Sequence, residues 1–258
     1  MVIPYPSTIF TAFAAMACLV AVTRSHAEPA AREIYLLIGQ SNMAGRGVVE
    51  ESDRQTDPRI WMFAESGEWK PAEEPIRYDK PAHAGVGPGL AFGRAMAKAL
   101  PAAEIGLVNR AFGGTTVAQW KKGGQLYNDA VSAAKAAAGQ GTIRGILWHQ
   151  GESDYRRMVK ETYKAAMVEL IANLRKDLGV PELPVVLGEL GSYLQPTDPS
   201  PQVVNDVLHE ISKEIPKVGI ASSEGLKDKG DKLHFDTASQ RIFGQRYAAE
   251  MIRLQSRP

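Results

Sequence analysis

Four short polar segments of this 258-residue chain carry side chains that hydrophobic burial does not explain. They are residues 39–45 (GQSNMAG), 113–115 (GGT), 149–152 (HQGE) and 231–234 (DKLH). A serine hydroxyl becomes a nucleophile when an imidazole accepts its proton, and a carboxylate can hold that imidazole in the required tautomer. The first segment contains Ser41, and the last contains His234 three residues after Asp231. These residue types predict acyl transfer, with Ser41 as nucleophile, His234 as base and Asp231 as the orienting carboxylate.

Acyl transfer also needs hydrogen-bond donors aimed at the oxyanion of the tetrahedral intermediate. The backbone N–H groups of Ser41 and Gly114 and the side-chain amide of Gln150 are suitable donors. Removing one such donor typically raises the barrier by about 2.7 to 4 kcal/mol. We therefore expect Ser41, Gly114 and Gln150 to form an oxyanion hole.

The elements that would bring these segments together follow from the hydrophobic pattern. Apolar runs alternate with segments of helical periodicity, which predicts an α/β fold with a parallel sheet wrapped by helices. The run at residues 34–38 has the length of a strand buried on both faces. Because parallel strands bring their carboxyl ends to one edge, residues 41, 114 and 150 can converge there. Other strands are predicted at residues 105–108, 145–148, 185–187 and 218–220, and helices at residues 89–100, 127–138, 161–178, 203–215 and 239–253.

Residues 46–88 form a stretch too long to be a simple connection. It contains the apolar run at residues 60–63 and Trp69, which predict a short strand or hairpin. We expect Arg46, Arg110 and Trp120 to contact the alcohol portion of an ester. For Trp120 the alternative is a partly buried core position, since an aromatic ring serves either purpose.

Composition limits the classes of partner. The chain has 30 basic and 29 acidic residues, and no basic cluster is interleaved with aromatics, which argues against nucleic acid or an anionic membrane. With 44% hydrophobic residues, residues 28–258 can form a single domain. No second histidine stands at ligand spacing from His149, so no metal site is predicted.

The N-terminal segment has the pattern of a signal peptide. Residues 9–22 are apolar, and Ser25, His26 and Ala27 form a small-x-small cleavage pattern. Fourteen residues are short for a membrane span. We expect residues 1–27 to be removed after Ala27, which predicts a secreted or periplasmic protein. The alternative is a lipoprotein that is anchored through Cys18, the single cysteine of the chain.

Taken together, the four segments resemble the conserved blocks of the sialate O-acetylesterase domain, a group that includes carbohydrate esterase family six, the acetylxylan esterases, within the SGNH hydrolase superfamily. The resemblance spans about residues 33–252, in the same order. It implies a flavodoxin-like, three-layer α/β/α fold, no metal or organic cofactor, and removal of acetyl groups from sugar hydroxyls. It assigns the nucleophile to Ser41, the base to His234, the second oxyanion donor to Gly114 and the third to Gln150.

The same resemblance leaves the orienting carboxylate open. Glu152 is similar to a carboxylate sometimes proposed for this role, so it competes with Asp231. We favour Asp231 because its spacing from His234 asks little of the tertiary structure, and we expect Glu152 to be a supporting group.

The function predicted from the sequence is a secreted serine O-acetylesterase that acts on acetylated glycans such as acetylxylan through an acetyl-serine intermediate. One alternative is a sialate O-acetylesterase, and another is a general short-chain or lipid esterase. A sugar-binding protein without activity is a fourth interpretation, against which the intact nucleophile, base and donors argue. No partner other than the carbohydrate substrate is indicated.

Overall fold

The computed structural model describes residues 1–3, 32–157, 159–194 and 200–256. Within these ranges, seven strands form one sheet with helices on both faces. Residues 4–27 of the predicted signal peptide, which include the alternative anchor at Cys18 and the expected cleavage site after Ala27, lie outside the described residues. No helix in the described ranges is long and apolar enough to cross a membrane.

The elements alternate along the chain as the hydrophobic pattern predicts. The strands are β1 Arg32–Gly39, β2 Ile60–Phe63, β3 Trp69–Pro71, β4 Ile105–Asn109, β5 Gly141–His149, β6 Val185–Gly188 and β7 Val218–Ala221. The α-helices are α1 Ser41–Ala44, α2 Gly89–Ala99, α3 Gln125–Ala137, α4 Lys160–Leu178, α5 Gln202–Glu214 and α6 Thr237–Gln255.

The sheet has the strand order β3-β2-β4-β1-β5-β6-β7. All neighbours are parallel except β3, which runs antiparallel to β2. Without the β2–β3 hairpin, the order is the 2-1-3-4-5 arrangement of flavodoxin-like sheets. The predicted three-layer α/β/α fold is therefore confirmed. In such sheets the strand order reverses beside β1, and ligands bind in the crevice at the carboxyl ends of the strands there.

The position of β1 in the sheet explains why its sequence is apolar without interruption. Alternate side chains of a strand point to opposite faces of the sheet. Ile34, Leu36 and Ile38 pack with α3, α4 and α5, while Tyr35 and Leu37 pack with α2 and α6. Both faces of this central strand are thus buried, and its end is held rigidly.

The long segment between β1 and α2 contains the predicted hairpin, formed by β2 and β3. Its other parts return to the carboxyl edge of the sheet. Gly47 and Val86 form an isolated antiparallel bridge, in which the Gly47 and Val86 amides each donate to the other's carbonyl over 2.9 Å. The segment therefore supplies residues to the rim of the site as well as an edge to the sheet.

The helix boundaries lie within two residues of the predicted ones because local signals mark them. Helix α4 ends at Gly179, whose φ of 75° is the left-handed conformation that glycine adopts without steric cost. Helix α6 begins after Asp236, whose side chain accepts a hydrogen bond from the Ser239 amide. Strand β5 begins four residues before its predicted start, because exposed polar residues interrupt its apolar run.

We expect replacement of Leu36 by alanine to lower the free energy of unfolding by about 2 to 5 kcal/mol. The substitution leaves a cavity in the core, where the fully buried Leu36 packs between the sheet and the helices. The control is Val168→Ala on the exposed side of α4, which should change the free energy of unfolding by no more than about 0.5 kcal/mol. Urea unfolding followed by circular dichroism measures both. Equal losses in the two variants would contradict the proposed packing.

Candidate active site

Ser41 is the second residue after β1 and the first residue of the short helix α1. Gly39 makes this turn possible, since its φ is 126° and an added Cβ would lie 2.0 Å from the His149 carbonyl oxygen. The serine is 6% exposed, and its Oγ lies 3.0 Å from Nε2 of His234. The turn therefore presents the hydroxyl to the imidazole, as predicted.

The imidazole of His234 is held by its own loop, between β7 and α6. Its Nδ1 lies 2.7 Å from Oδ2 of Asp231. The other carboxylate oxygen accepts hydrogen bonds from the amides of Leu233, at 2.9 Å, and His234, at 2.8 Å. Partial burial would raise the pKa of Asp231, but the hydrogen bonds and charge of His234 and the Leu233 amide bring it below its usual range. Asp231 is therefore a carboxylate that fixes the orientation of the imidazole.

Glu152 has different partners. Its Oε1 lies 2.5 Å from Nδ2 of Asn42 and 2.9 Å from Nε2 of His149. Complete burial would raise the pKa of Glu152, but the charge and hydrogen bond of His149 and the Asn42 amide hold it below its usual range. Of the two carboxylates that the sequence left open, Asp231 contacts the imidazole of His234, and Glu152 contacts Asn42.

Asn42 connects the serine turn to the histidine loop on both sides of the imidazole. Its Nδ2 donates to the Leu233 carbonyl over 3.1 Å, and its Oδ1 accepts from the Phe235 amide over 3.1 Å. Glu152 accepts a hydrogen bond from the same Nδ2, so it contacts the side chain that joins the two segments. This arrangement is a structural basis for the supporting role that was expected of Glu152.

Ser41 and Gly114, the two residues expected to supply backbone donors, both line the cleft. Within the described ranges, no hydrogen bond occupies the N–H of Ser41 or that of Gly114. Gly114 has a φ of 80°, which glycine adopts readily. Both amides are thus free to donate to a developing oxyanion.

A buried ion pair holds the loop that carries Gly114. Asp79 accepts a 2.8 Å hydrogen bond from the Gly113 amide and two hydrogen bonds, of 3.1 and 2.7 Å, from the guanidinium of Arg46. Burial would raise the pKa of Asp79, but Arg46 and the Gly113 amide lower it overall. Arg46 was predicted to contact substrate. It lines the cleft, but its guanidinium pairs with Asp79, and it is connected to the Gly113–Gly114 turn through that carboxylate.

The predicted third donor, Gln150, does not reach the cleft. It is 0% exposed, and its Nε2 donates to the Thr115 carbonyl over 2.9 Å, to Asp154 and, over 3.3 Å, to Oε1 of Gln40. Burial raises the pKa of the Asp154 carboxyl group, which accepts one of these hydrogen bonds. The two amide hydrogens of Gln150 are therefore occupied by acceptors that distant segments supply, which corrects its assignment to the oxyanion hole.

Gln40, for which no role was predicted from the sequence, lines the cleft directly beside the serine. Its Oε1 faces inward and accepts from Nε2 of Gln150 and the amide of Ser153, each at 3.3 Å, and from the Gly151 amide at 3.5 Å. Its Nε2 has no acceptor among the described residues and is left to face the cleft. The sequence signal that could have identified Gln40 is its amide side chain, which stands directly before the nucleophile candidate Ser41.

The other two predicted substrate contacts are buried away from the cleft. Arg110 donates to the carbonyls of Phe63, Ala64 and Asn109 beside the hairpin. Trp120 is 1% exposed, and its Nε1 donates to Oγ1 of Thr115 over 3.1 Å. Neither residue lines the cleft, because each satisfies buried polar groups instead, and this corrects both predictions.

The cleft is open and has a volume of about 660 Å³. It brings together Ser41, Gly114, Glu152, Asp231 and His234. Its rim also carries Lys80, His83, Ser153 and Lys229, so polar groups dominate the outer wall. In the described part of the chain, no group of three or more His, Cys, Asp or Glu side chains could hold a metal ion.

Known proteins match both the sequence and this fold. A probable carbohydrate esterase of Arabidopsis thaliana is 32% identical over 232 residues, which cover 81% of this chain and 85% of the relative. The crystal structure of the Arabidopsis protein has a TM-score of 0.77 at 30% identity and covers 87% of this chain and 99% of its own. NanS, with a TM-score of 0.72 at 18% identity and coverage of 89% and 99%, shares the fold.

The resemblance stated from the sequence is therefore confirmed. The model of one protein family, described as carbohydrate esterase, sialic acid-specific acetylesterase, matches residues 31–253. The geometry of Ser41, His234 and Asp231 agrees with the ester hydrolysis that this description names. The chain thus belongs to this carbohydrate esterase family and is a carboxylic ester hydrolase of the carbohydrate acetylesterase type.

Proposed function

We propose that this protein removes acetyl groups from the hydroxyls of acetylated glycans, with acetylxylan as the leading substrate, through an acetyl-serine intermediate on Ser41. The observation that carries the proposal is the hydrogen-bonded series Asp231, His234 and Ser41, which faces uncommitted amide donors across an open polar cleft. Each group has the position that acyl transfer requires.

In the first half of the reaction, Nε2 of His234 accepts the proton of Ser41 as Oγ bonds to the acetyl carbonyl carbon. The carbonyl oxygen becomes an oxyanion, to which the amides of Ser41 and Gly114 and Nε2 of Gln40 donate. The imidazolium, stabilised by Asp231, then returns its proton to the sugar oxygen as the bond from that oxygen to the acetyl carbon breaks. The sugar hydroxyl leaves, and the acetyl group remains on Oγ.

In the second half, a water molecule attacks the acetyl carbon while His234 accepts one of its protons. The same donors stabilise the second oxyanion. When this intermediate collapses, acetate leaves and Ser41 regains its proton from the imidazolium. One water is consumed, and no group other than these side chains and amides takes part.

The polar rim of the cleft favours a carbohydrate over a lipid as the alcohol portion. Lys80, His83, Ser153 and Lys229 can hydrogen-bond to hydroxyl groups, whereas they would have to lose water against a hydrocarbon chain. The small acetyl group needs little apolar space beside Ser41.

A sialate O-acetylesterase is the second candidate, and two lysines favour it. Lys80 has no ion-pair partner among the described residues. Nζ of Lys229 lies 3.7 Å from Oδ2 of Asp231, but the same oxygen also contacts Nδ1 of His234. Their positive charges would attract the carboxylate of an acidic sugar. The description of the family also names sialic acid.

Secretion remains part of the proposal and rests on the sequence of residues 1–27. Removal of this segment after Ala27 would take Arg24 with it and leave 29 basic and 29 acidic residues. N-terminal sequencing of the protein exported by its native host would test it.

We expect the purified protein to release acetate from acetylated xylan fragments, and Ser41→Ala to abolish that release because it removes the attacking hydroxyl. Enzymatic quantification of acetate with acetylated xylan, acetylated sialic acid and 4-nitrophenyl esters measures this. Release from acetylated sialic acid alone would favour the second candidate. Activity that rises from nitrophenyl acetate to nitrophenyl octanoate would contradict the carbohydrate assignment.

Asp231→Asn should lower kcat by about 10²- to 10⁴-fold, because the amide no longer stabilises the imidazolium. Glu152→Gln should lower kcat less, by under about tenfold, since its effect on the reaction passes through Asn42. Steady-state kinetics with nitrophenyl acetate compares the two variants. The reverse order would transfer the orienting role to Glu152.

Gln40→Glu should lower kcat by about 10²- to 10³-fold with a smaller change in KM, because it replaces the donor that faces the oxyanion. The substitution retains the inward acceptor for the Ser153 amide, so a purely structural role for Gln40 would survive it. Gln140→Ala, at an exposed residue directly before β5, is the control. Unchanged kcat in Gln40→Glu would remove Gln40 from the oxyanion hole.

A further inference from the structure

We propose that a second pocket, on the other side of the loop that carries Gly114, binds the neutral sugar residues that flank the acetylated one. This inference rests on the proposed function and deepens it, because it makes an oligosaccharide or polysaccharide the preferred substrate. Its volume of about 640 Å³ is within the range of ligand pockets.

The two pockets share a wall that is one turn thick. Residues 113 and 114 line the catalytic cleft, while Phe112 and Thr115, at either end of the same turn, line the second pocket. The hydroxyl of Thr115 donates to the Phe112 carbonyl over 2.8 Å, which closes the turn. A chain of sugars seated at Ser41 would therefore reach the second pocket by crossing this turn.

Phe112 stands at the crossing point. Its side chain is 36% exposed, although large apolar side chains are usually covered. Nζ of Lys80, which lines the catalytic cleft, lies 5.9 Å from the centre of the Phe112 ring. The ring is thus open to solvent at the rim between the two pockets. An exposed aromatic face in this position suits packing against the C–H face of a sugar ring.

The charges in the second pocket are nearly all paired within the protein. Arg77 pairs with Glu65 and donates to the Ala111 carbonyl over 3.1 Å. Asp129 lies 3.7 Å from Nε of Arg110. Lys121 is the remaining charged residue of the lining, and it lies at the surface. This balance favours a neutral ligand over an anion.

The remaining lining combines polar and apolar groups. The exposed amide of Gln125, at the first residue of α3, has no hydrogen-bond partner in the described ranges, and Leu126 and Ala118 add apolar surface. Hydroxyl groups of a neutral sugar can bond to the amide while its C–H groups contact the apolar side chains. The second pocket therefore has the chemistry of a carbohydrate subsite, and nothing in it resembles a second catalytic group.

The test is the dependence of kcat/KM on chain length, with acetylated xylo-oligosaccharides of one to six residues. Each value is divided by the kcat/KM of the same variant for 4-nitrophenyl acetate, which is too small to reach the second pocket. In the wild type, this ratio should rise by about tenfold or more from the shortest to the longest substrate. Phe112→Ala and Gln125→Ala should remove most of the rise, and Ile242→Ala, at a comparably exposed apolar residue on α6, should retain it.

The possible results distinguish a failure of the subsite from a failure of the proposed esterase function. Acetate release that is independent of chain length in the wild type would overturn the subsite and leave the esterase assignment intact. A rise that survives both Phe112→Ala and Gln125→Ala, or is lost equally in Ile242→Ala, would also overturn the subsite. If no acetylated sugar of any length released acetate, the proposed function and the subsite would fail together.

Discussion

The site depends on one hydrogen bond, between Oγ of Ser41 and Nε2 of His234, which joins residues 193 positions apart over 3.0 Å. This hydrogen bond can form only if the end of β1 and the loop before α6 are both fixed in position. The first is fixed because β1 lies in the middle of the sheet and is buried on both faces. The second is fixed by Asn42, which bonds to the backbone on either side of the imidazole.

Buried electrostatics extend this constraint to the other side of the serine. The ion pair of Asp79 and Arg46 is almost completely enclosed, and an enclosed pair is stabilised only when its remaining hydrogen bonds are satisfied. Asp79 satisfies them through the Gly113 amide, and it thereby holds the turn whose next residue, Gly114, lines the cleft. The side chain of Gln40 is likewise oriented by the Gly151 and Ser153 amides, which donate to its Oε1. In the proposed mechanism these donors are therefore arranged before substrate binds, which is the condition for efficient stabilisation of an oxyanion.

Much of this architecture was predictable because it depends on local patterns. Continuous apolar strands and helical periodicity predicted the sheet and the helices, and the three-residue spacing of Asp231 and His234 predicted their contact. Which of Gln40 and Gln150 lines the cleft was not predictable. These residues follow neighbouring strands and contact each other, and which one faces the cleft depends on acceptors from Thr115 and Asp154. The burial of Trp120 likewise depends on Thr115 and Trp148, which approach it only in the folded chain.

Reaction with diethyl 4-nitrophenyl phosphate shows whether Ser41 is the hydroxyl that His234 activates. This reagent phosphorylates an activated serine and forms a stable adduct, which peptide mass spectrometry can locate. We expect one diethylphosphoryl group on Ser41 for each enzyme molecule inactivated, and no adduct in His234→Ala. Complete inactivation with Ser41 unmodified, or an adduct on Ser41 that forms equally fast without His234, would contradict it.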